Sequence, residues 1–370
     1  MKEKFLYQYI ASDLIEKIQG KTYKKGELLE SSTILMDHYN ASIVTINKAL
    51  GHMASLGYIK RIPGKGSVVT DYSATDSSAK GSRMIGAVVF DMAQPDIWAG
   101  AVKAMENHLY PLDYQLLVGN NSGSLERMIE YIDQFASQGV EGIVFVPISG
   151  NSDENFQNIN NIIANHIKKY GIPFVVMHRI LKKVDTVQIG FDNHQDSLEL
   201  METLFSHGCK HPLLLSYDFF NSVISDRERG FRESLWTRKI INPENLISRI
   251  PNHKNWTNEQ PDFLGFLRKE LGCHPETDTI VAIDDYILKL LHMVEQSGTL
   301  FENHPYILSG FGTIDDIFSS GAIDMYQRQD PSILGKVAIT RLLEMIDRST
   351  QQITQTIRIP SSLTFSSCAI

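Results

Sequence analysis

The stretch ASIVTINKALGHMASLGYIKRIPGKGSVV, residues 41–69, decides how the first part of the chain folds. Ser42 is a side-chain acceptor where a helix N-cap belongs. Behind it Ile46, Ala49, Leu50 and Met53 recur at three- and four-residue spacing, and Gly57 ends the run. Thr45, Asn47, Lys48 and His52 then fall on other faces. Two strand-like runs follow, Tyr58–Ile62 and Ser67–Thr70, joined by the turn Pro63-Gly64-Lys65-Gly66. Upstream, Leu6, Ile10, Leu14 and Ile18 mark a first helix that stops at Gly20. Ser31 or Ser32 can cap a short second helix running from Thr33 to Tyr39. Three helices and a small hairpin make a winged helix-turn-helix over residues 1–70, mainly α with a β-wing.

Charge divides the chain at the same place. The 370 residues carry a net charge of −8, which taken whole argues against a nucleic-acid coat or a membrane-surface binder. Residues 1–70 hold ten Lys or Arg against six Asp or Glu, a net of +4, while the remainder holds 25 against 37, a net of −12. Lys21, Lys24 and Lys25 cluster in one turn, and Lys60, Arg61 and Lys65 in another. A basic head on an acidic body confines any contact with phosphate to the head. Hydrophobic residues make up 42% and charged ones 21%, an ordinary soluble composition. No apolar run approaches the roughly 18–20 residues of a membrane span, and the N-terminus lacks a signal-like apolar core. Three cysteines, Cys209, Cys273 and Cys368, are an odd and scattered set that suits a reducing compartment. A cytoplasmic protein without a membrane partner is expected.

Residues 71–83 open with DYSATDSSAKGS and read as a linker. From Met84 onward apolar runs of strand length alternate with amphipathic helices. Ile85–Phe90, Tyr114–Val118, Gly142–Val146 and Pro173–Met177 form one series. A second opens at Val187–Ile189 and continues through Leu213–Leu215, Thr279–Ile283 and Tyr306–Leu308. Two such series predict an α/β domain of two doubly wound parallel-sheet lobes over residues 84–370. Ligand loops then belong at the carboxyl ends of the strands and in the cleft between lobes.

Thr45, Asn47 and Lys48 have the chemistry to meet base edges and phosphates, and Gly64-Lys65-Gly66 would let a hairpin tip approach a duplex closely. A three-helix head can equally be a protein-docking module. The Gly-Lys-Gly turn is not a phosphate loop, since it lacks the preceding strand, the following helix and the GK[ST] ending. No GxGxxG, GxSxG or HExxH is present, so neither a dinucleotide cofactor nor catalysis is expected. His207-Gly208-Cys209-Lys210-His211 is half of a metal site at best, and no second cluster completes it. The pairs Asp284-Asp285 and Asp315-Asp316 follow strands and read as binding or capping groups rather than an acid/base pair. Arg227 could hold hydroxyls or a carboxylate if it faces a cleft, or be a solvated helix residue.

Residues 5–70 resemble the winged-helix head of the GntR family. The spacing Gly20, Tyr23, Gly26, Leu29, Ser31, the run Ala41–Leu50 and the wing Leu56–Val69 carry the likeness. The resemblance implies DNA contacts at Thr33, Ser42, Thr45, Asn47, Lys48, Gly64, Lys65 and Gly66. Thr33, Ile43 and Asn47 stand where family members often have arginine. Residues 84–370 resemble the effector domain of the LacI/GalR family, itself similar to periplasmic sugar-binding proteins. The carriers are Arg227-Glu228-Arg229-Gly230-Phe231, Asp284-Asp285, Gly310-Phe311-Gly312 and Gln329-Asp330-Pro331 with Gly335. This implies a ligand set of Asp91, Trp98, Asn221, Arg227, Asp284 and Gln329. Gly312 replaces a usual ligand-binding Asp, and Phe365 a usual Arg. A GntR head on a LacI-type body is similar to arabinose-repressor hybrids. Together these imply a dimeric sugar-responsive repressor of a carbohydrate-utilisation operon. Its partners would be double-stranded operator DNA and a pentose or deoxyhexose such as arabinose or fucose. The alternative is a sugar-binding sensor without DNA-binding activity.

Overall fold

The computed structural model describes residues 3–20, 22–55, 57–62, 65–70, 83–90, 95–250, 260–298, 306–313, 323–347 and 354–365. They form two units, one of Met1–Met84 to which Gln134–Val140 is assigned, the other of Ile85–Asp133 and Glu141–Ile370.

In the smaller unit the predicted helices are α1 (Glu3–Gln19), α2 (Ser32–Tyr39) and α3 (Ile43–Ser55). Of the two candidate serines, Ser31 caps α2, its Oγ accepting from the Ile34 amide at 3.4 Å. Asn40 ends that helix in the left-handed region at φ 46°. The periodic residues Ile10, Leu14, Leu35, Ile46, Ala49, Leu50 and Met53 are the core. Tyr39 donates to Asp13 at 2.5 Å, and Lys17 pairs with the same carboxylate at 2.8 Å, tying α1 to α2. The wing pairs β1 (Ile59–Ile62) antiparallel with β2 (Gly66–Val69). Its outer edge is covered by the segment between α1 and α2. Leu29 N–H donates to Ser67 O, and Gly26 and Glu27 exchange bonds with Val69, each at 2.8 Å.

The larger unit holds two six-stranded sheets. The first contains β3 (Arg83–Val89), β4 (Tyr114–Asn120), β5 (Gly142–Phe145), β6 (Phe174–Met177), β7 (Val187–Phe191) and β13 (Gln355–Ile359), in the order β13-β7-β6-β5-β3-β4. The second contains β8 (Pro212–Tyr217), β9 (Ile247–Ile250), β10 (Thr279–Ala282), β11 (Ile307–Gly312), β12 (Met325–Arg328) and β14 (Ser362–Phe365), in the order β14-β12-β11-β10-β8-β9. The pairings β3–β5–β6–β7–β13 and β9–β8–β10–β11–β12 are parallel, and β14 joins antiparallel at an edge. The helices are α4 (Pro95–Leu109), α5 (Leu125–Gln138), α6 (Asp153–Lys168), α7 (Asn193–Ser206), α8 (Ser222–Thr237), α9 (Gln260–Cys273), α10 (Asp285–Gln296) and α11 (Pro331–Asp347). Central strands such as β8 are buried at every position, which is why they read as unbroken apolar runs.

One expectation is corrected. Val187–Ile189 does not open the second series; β7 pairs with β6 and belongs to the first sheet. The chain therefore passes between sheets after β7, returns after β12, and passes once more between β13 and β14. On its return α11 buries Leu334, Ala338, Ile339 and Leu342 against the first sheet and α4. That packing needs Gly335, since a Cβ there would overlap the Ala101 carbonyl. Gly51, mid-helix in α3, is exposed and a Cβ there would meet nothing within 4 Å. The same substitution is therefore expected to act in opposite directions at the two sites. Gly335→Ala should lower stability by about 1–3 kcal/mol through overpacking, and Gly51→Ala should raise it by about 0.5–1 kcal/mol. Denaturant unfolding followed by circular dichroism measures both signs.

Candidate functional site

The loops after the carboxyl ends of both sets of strands enclose a cleft of about 830 Å³. Phe90 reaches it from β3, Ser149 from the loop after β5, and His178 and Arg179 from the end of β6. Tyr217 and Asn221 follow β8, Asp284 follows β10, and Gln329 follows β12. Trp98, Asn221, Arg227, Asp284 and Gln329, five of the six expected ligand residues, line this cleft together. Asp91 lies outside the described residues.

The polar groups of these five are largely committed to the protein. Asn221 Oδ1 caps α8, accepting from the Val223 and Ile224 amides at 3.0 Å each, while its Nδ2 donates to Ser149 Oγ at 3.3 Å. Asp284 caps α10 and accepts from the Tyr217 hydroxyl at 2.8 and 2.9 Å. Trp98 meets the His178 ring edge-on with centroids 5.0 Å apart. Arg227 is buried, and its fork is spread over three partners. Nε donates to Asn193 Oδ1 at 3.0 Å, one terminal nitrogen to Ile283 O at 2.5 Å and the other to Gln329 Oε1 at 2.9 Å. Gln329 Nε2 in turn donates to Asn193 at 3.0 Å and to Asp196 at 3.2 Å, and Ser361 Oγ donates to Asp196 at 2.5 Å. Asn193, Gln329 and Ser361 each stand on one of the three passages between sheets, so this network joins the hinge to the cleft floor.

Three further lining residues bear on the chemistry of the cleft: Arg179 and His178, which the sequence did not single out, and Asp285, which it paired with Asp284 as a binding or capping group. Arg179 is 8% exposed and donates to Pro147 O at 2.6 Å, and its Nε has no hydrogen-bond partner among the described residues. Burial brings its pKa down to about 10, against the pull of Asp284. His178 sits at φ +73° with Nδ1 likewise unpartnered. Burial first, then the charges of Arg179 and Arg227, hold it well below the usual histidine range, so it is neutral at pH 7. Their position just past an apolar strand was the only signal the sequence offered. The third is Asp285. Its carboxylate occupies the space over Gly312, where a Cβ would overlap it, and accepts from Thr313 N at 2.7 Å and Thr313 Oγ1 at 3.0 Å. A carboxylate thus stands beside residue 312 even though residue 312 cannot supply one.

In the smaller unit Ser42 caps α3, its Oγ accepting from the Thr45 amide at 3.2 Å. Thr33, Lys48, Lys65 and Gly66 are exposed, and Gly64 lies outside the described residues. Thr45 departs from expectation. It is 5% exposed and its hydroxyl bonds Ser42 at 2.8 Å, so it closes the cap and faces inward. Asn47 accepts from Arg61 of the wing at 2.9 Å, a pairing that the linear spacing did not reveal. Within the His207–His211 motif, Cys209 is buried and its thiol pushed up to about 12, while His207 packs on Phe365 at 5.5 Å. Asp315, Asp316 and Cys368 lie outside the described residues. Among the described residues no helix is long and apolar enough to cross a membrane.

The chain is similar to known proteins over most of its length. The profile of a family described as "Periplasmic binding proteins and sugar binding domain of LacI family" matches residues 82–365. An arabinose metabolism transcriptional repressor of Geobacillus stearothermophilus is 23% identical over 362 residues, 94% of this chain and 93% of its own. The HTH-type transcriptional regulator TreR of Bacillus subtilis (strain 168) is 43% identical over 60 residues, 16% of this chain and 25% of its own. Among solved structures, a transcriptional regulator CelR–cellobiose complex superposes with a TM-score of 0.62 at 15% identity, covering 92% of this chain and 100% of that one.

The Asp285 carboxyl is pushed up to about 7, chiefly by burial and secondarily by Asp284, against the bonds from Thr313. The folded state therefore holds this proton where the unfolded chain, near the ordinary value of 3.8, has released it. The contribution of Asp285 to stability should fall as pH rises from about 4 to about 7 and level off above. Asp285→Asn keeps the pairing with Thr313 and should flatten that slope, as thermal melts across this pH range would record.

Proposed function

The chain belongs to the family of periplasmic binding proteins and LacI-type sugar-binding domains, and from that premise we propose that it is a sugar-responsive transcriptional repressor. The 1–70 winged helix binds operator DNA, and residues 84–370 bind the effector and form a homodimer that sets two heads on a two-fold symmetric site. The effector is a monosaccharide, a pentose or deoxyhexose such as arabinose or fucose, and the target is a carbohydrate-utilisation operon. The observation that carries this reading is the convergence of Trp98, Asn221, Arg227, Asp284 and Gln329 on one cleft.

In this reading Asp284, Gln329, Arg179 and Arg227 meet sugar hydroxyls with Asp91, and Trp98 packs on a ring face. Arg227 has five N–H groups, of which three are engaged within the protein, leaving donors for a ligand. A ligand bound there contacts both the floor network and the rim, which part when the cleft opens, so its affinity differs between open and closed arrangements. Differential affinity of about 1–3 kcal/mol between two arrangements is enough to couple the cleft to DNA. On the head, the residues assigned to DNA contact in this reading are Thr33, Ser42, Asn47, Lys48, Gly64, Lys65 and Gly66.

The test is a gel shift on the DNA upstream of the protein's own gene, with a panel of pentoses and deoxyhexoses added. Retardation at low salt, released by one of the sugars, is the expected result. Arg227→Lys should leave retardation intact and raise the releasing sugar concentration at least about tenfold, the loss of a charged hydrogen bond. No retardation of any duplex at low salt would overturn the repressor reading in favour of a sugar sensor without DNA activity. Full sugar response in Arg227→Lys would remove Arg227 from the site.

A further inference from the structure

The first turn of α3 exposes an apolar surface where polar base-reading groups were expected. Ile43 is 43% exposed and Val44 61% exposed, while Ile46, Ala49, Leu50 and Met53 fill the core. The polar candidates of the same turn are paired with other groups of the head. Ser42 Oγ accepts from the Thr45 amide, Thr45 is buried, and the Asn47 side-chain oxygen accepts from Arg61. Exposed cations stand on the same helix and on the wing that Arg61 ties to it through Asn47. Lys48 follows Val44 by one helical turn, and Lys60, Arg61 and Lys65 are exposed on the wing.

An apolar patch with cations on the same helix and on the wing matches the cross-section of a DNA major groove. Its walls are phosphate, and its floor is apolar wherever thymine presents its C5 methyl. Resting on the DNA-binding reading above, we propose that the head selects its operator through thymine methyl groups packed against Ile43 and Val44. Lys48, Arg61 and Lys65 hold the backbone and carry no sequence information in this arrangement. The absence of a side chain at Gly51, seven residues beyond Val44 on the same stripe, leaves the helix able to lie close to the groove.

A thymine replaced by deoxyuridine loses the methyl and nothing else, which makes the test direct. The full chain is used to select half-sites from a random duplex library, and the selected duplex is then titrated by fluorescence anisotropy. The selected half-site should carry T·A pairs at fixed positions. Each dT→dU change at a contacted position should weaken binding about fourfold, the equivalent of about 0.8 kcal/mol for one buried methyl. In Ile43→Ser and Val44→Ser, both at exposed positions, the difference between dT and dU duplexes should shrink to less than twofold while the salt dependence stays that of the parent. Binding that is retained and equal on dT and dU duplexes at every position, or a selected half-site with no fixed T·A pair, would overturn this inference and leave the repressor reading standing. A chain that binds no duplex at about 50 mM salt would overturn both.

Discussion

A guanidinium removed from water costs several kcal/mol unless its donors are met, and the Arg227 fork is met by groups far apart in sequence. Its acceptors are Asn193, Ile283 and Gln329, at the starts of α7 and α10 and beyond β12. Burial lowers its pKa, and Asp284 and Asp196 oppose that shift. The guanidinium also lies over the Phe311 ring, 4.6 Å from its centroid. Satisfying one charge therefore fixes the register of two of the three passages between sheets, and Asp196 brings in the third through Ser361. The cleft floor and the hinge are the same set of atoms, so a ligand on the floor cannot be indifferent to hinge geometry.

The opposite rim of the cleft is held differently. Gly150 and Phe220 exchange backbone hydrogen bonds at 2.7 and 2.8 Å, Ile180 N–H donates to Ser222 Oγ at 2.8 Å, and Asn221 reaches Ser149. Each of these neutral bonds contributes only about 0.5–1.5 kcal/mol net, because water replaces the partner when it breaks. The floor carries a buried charge whose partners water cannot replace without flooding the core. Opening should therefore proceed at the rim while the Arg227 network persists, with the lobes swinging about the three passages.

Local patterns were legible because they follow from neighbours in sequence. The α3 stripe, the Ser42 cap, the Asp284 cap and the runs that became β3, β5, β6, β8 and β10 all read correctly from spacing and burial preference. What escaped was decided by partners elsewhere in the chain. Val187–Phe191 has the composition of either sheet, and only its pairing with β6 and β13 assigns it. Strands β13 and β14 alternate polar with apolar residues at exposed edges, so no apolar run announced them. Thr45 and Ile46 are adjacent, and both are buried because the helix presses a wider arc into the core than the four aliphatic residues marked. Arg179 and His178 carry ordinary side chains, whose burial without full pairing is a property of the cleft alone.

Gly312 illustrates how a residue without a side chain can decide which group stands beside it. Read along the chain, a glycine at the end of β11 is a missing carboxylate. In space, that glycine is what admits Asp285 from the start of α10, and Thr313 fixes its position through both oxygens. A carboxyl delivered from a helix start beside Asp284 and buried against the strand is held protonated up to about 7, so near neutrality it alternates between hydrogen-bond donor and acceptor. A hydroxyl can pair with either form, because it both donates and accepts. The cleft therefore stays complementary to a polyhydroxylated ligand through that titration, whereas a ligand group able only to accept would lose its partner as pH rises.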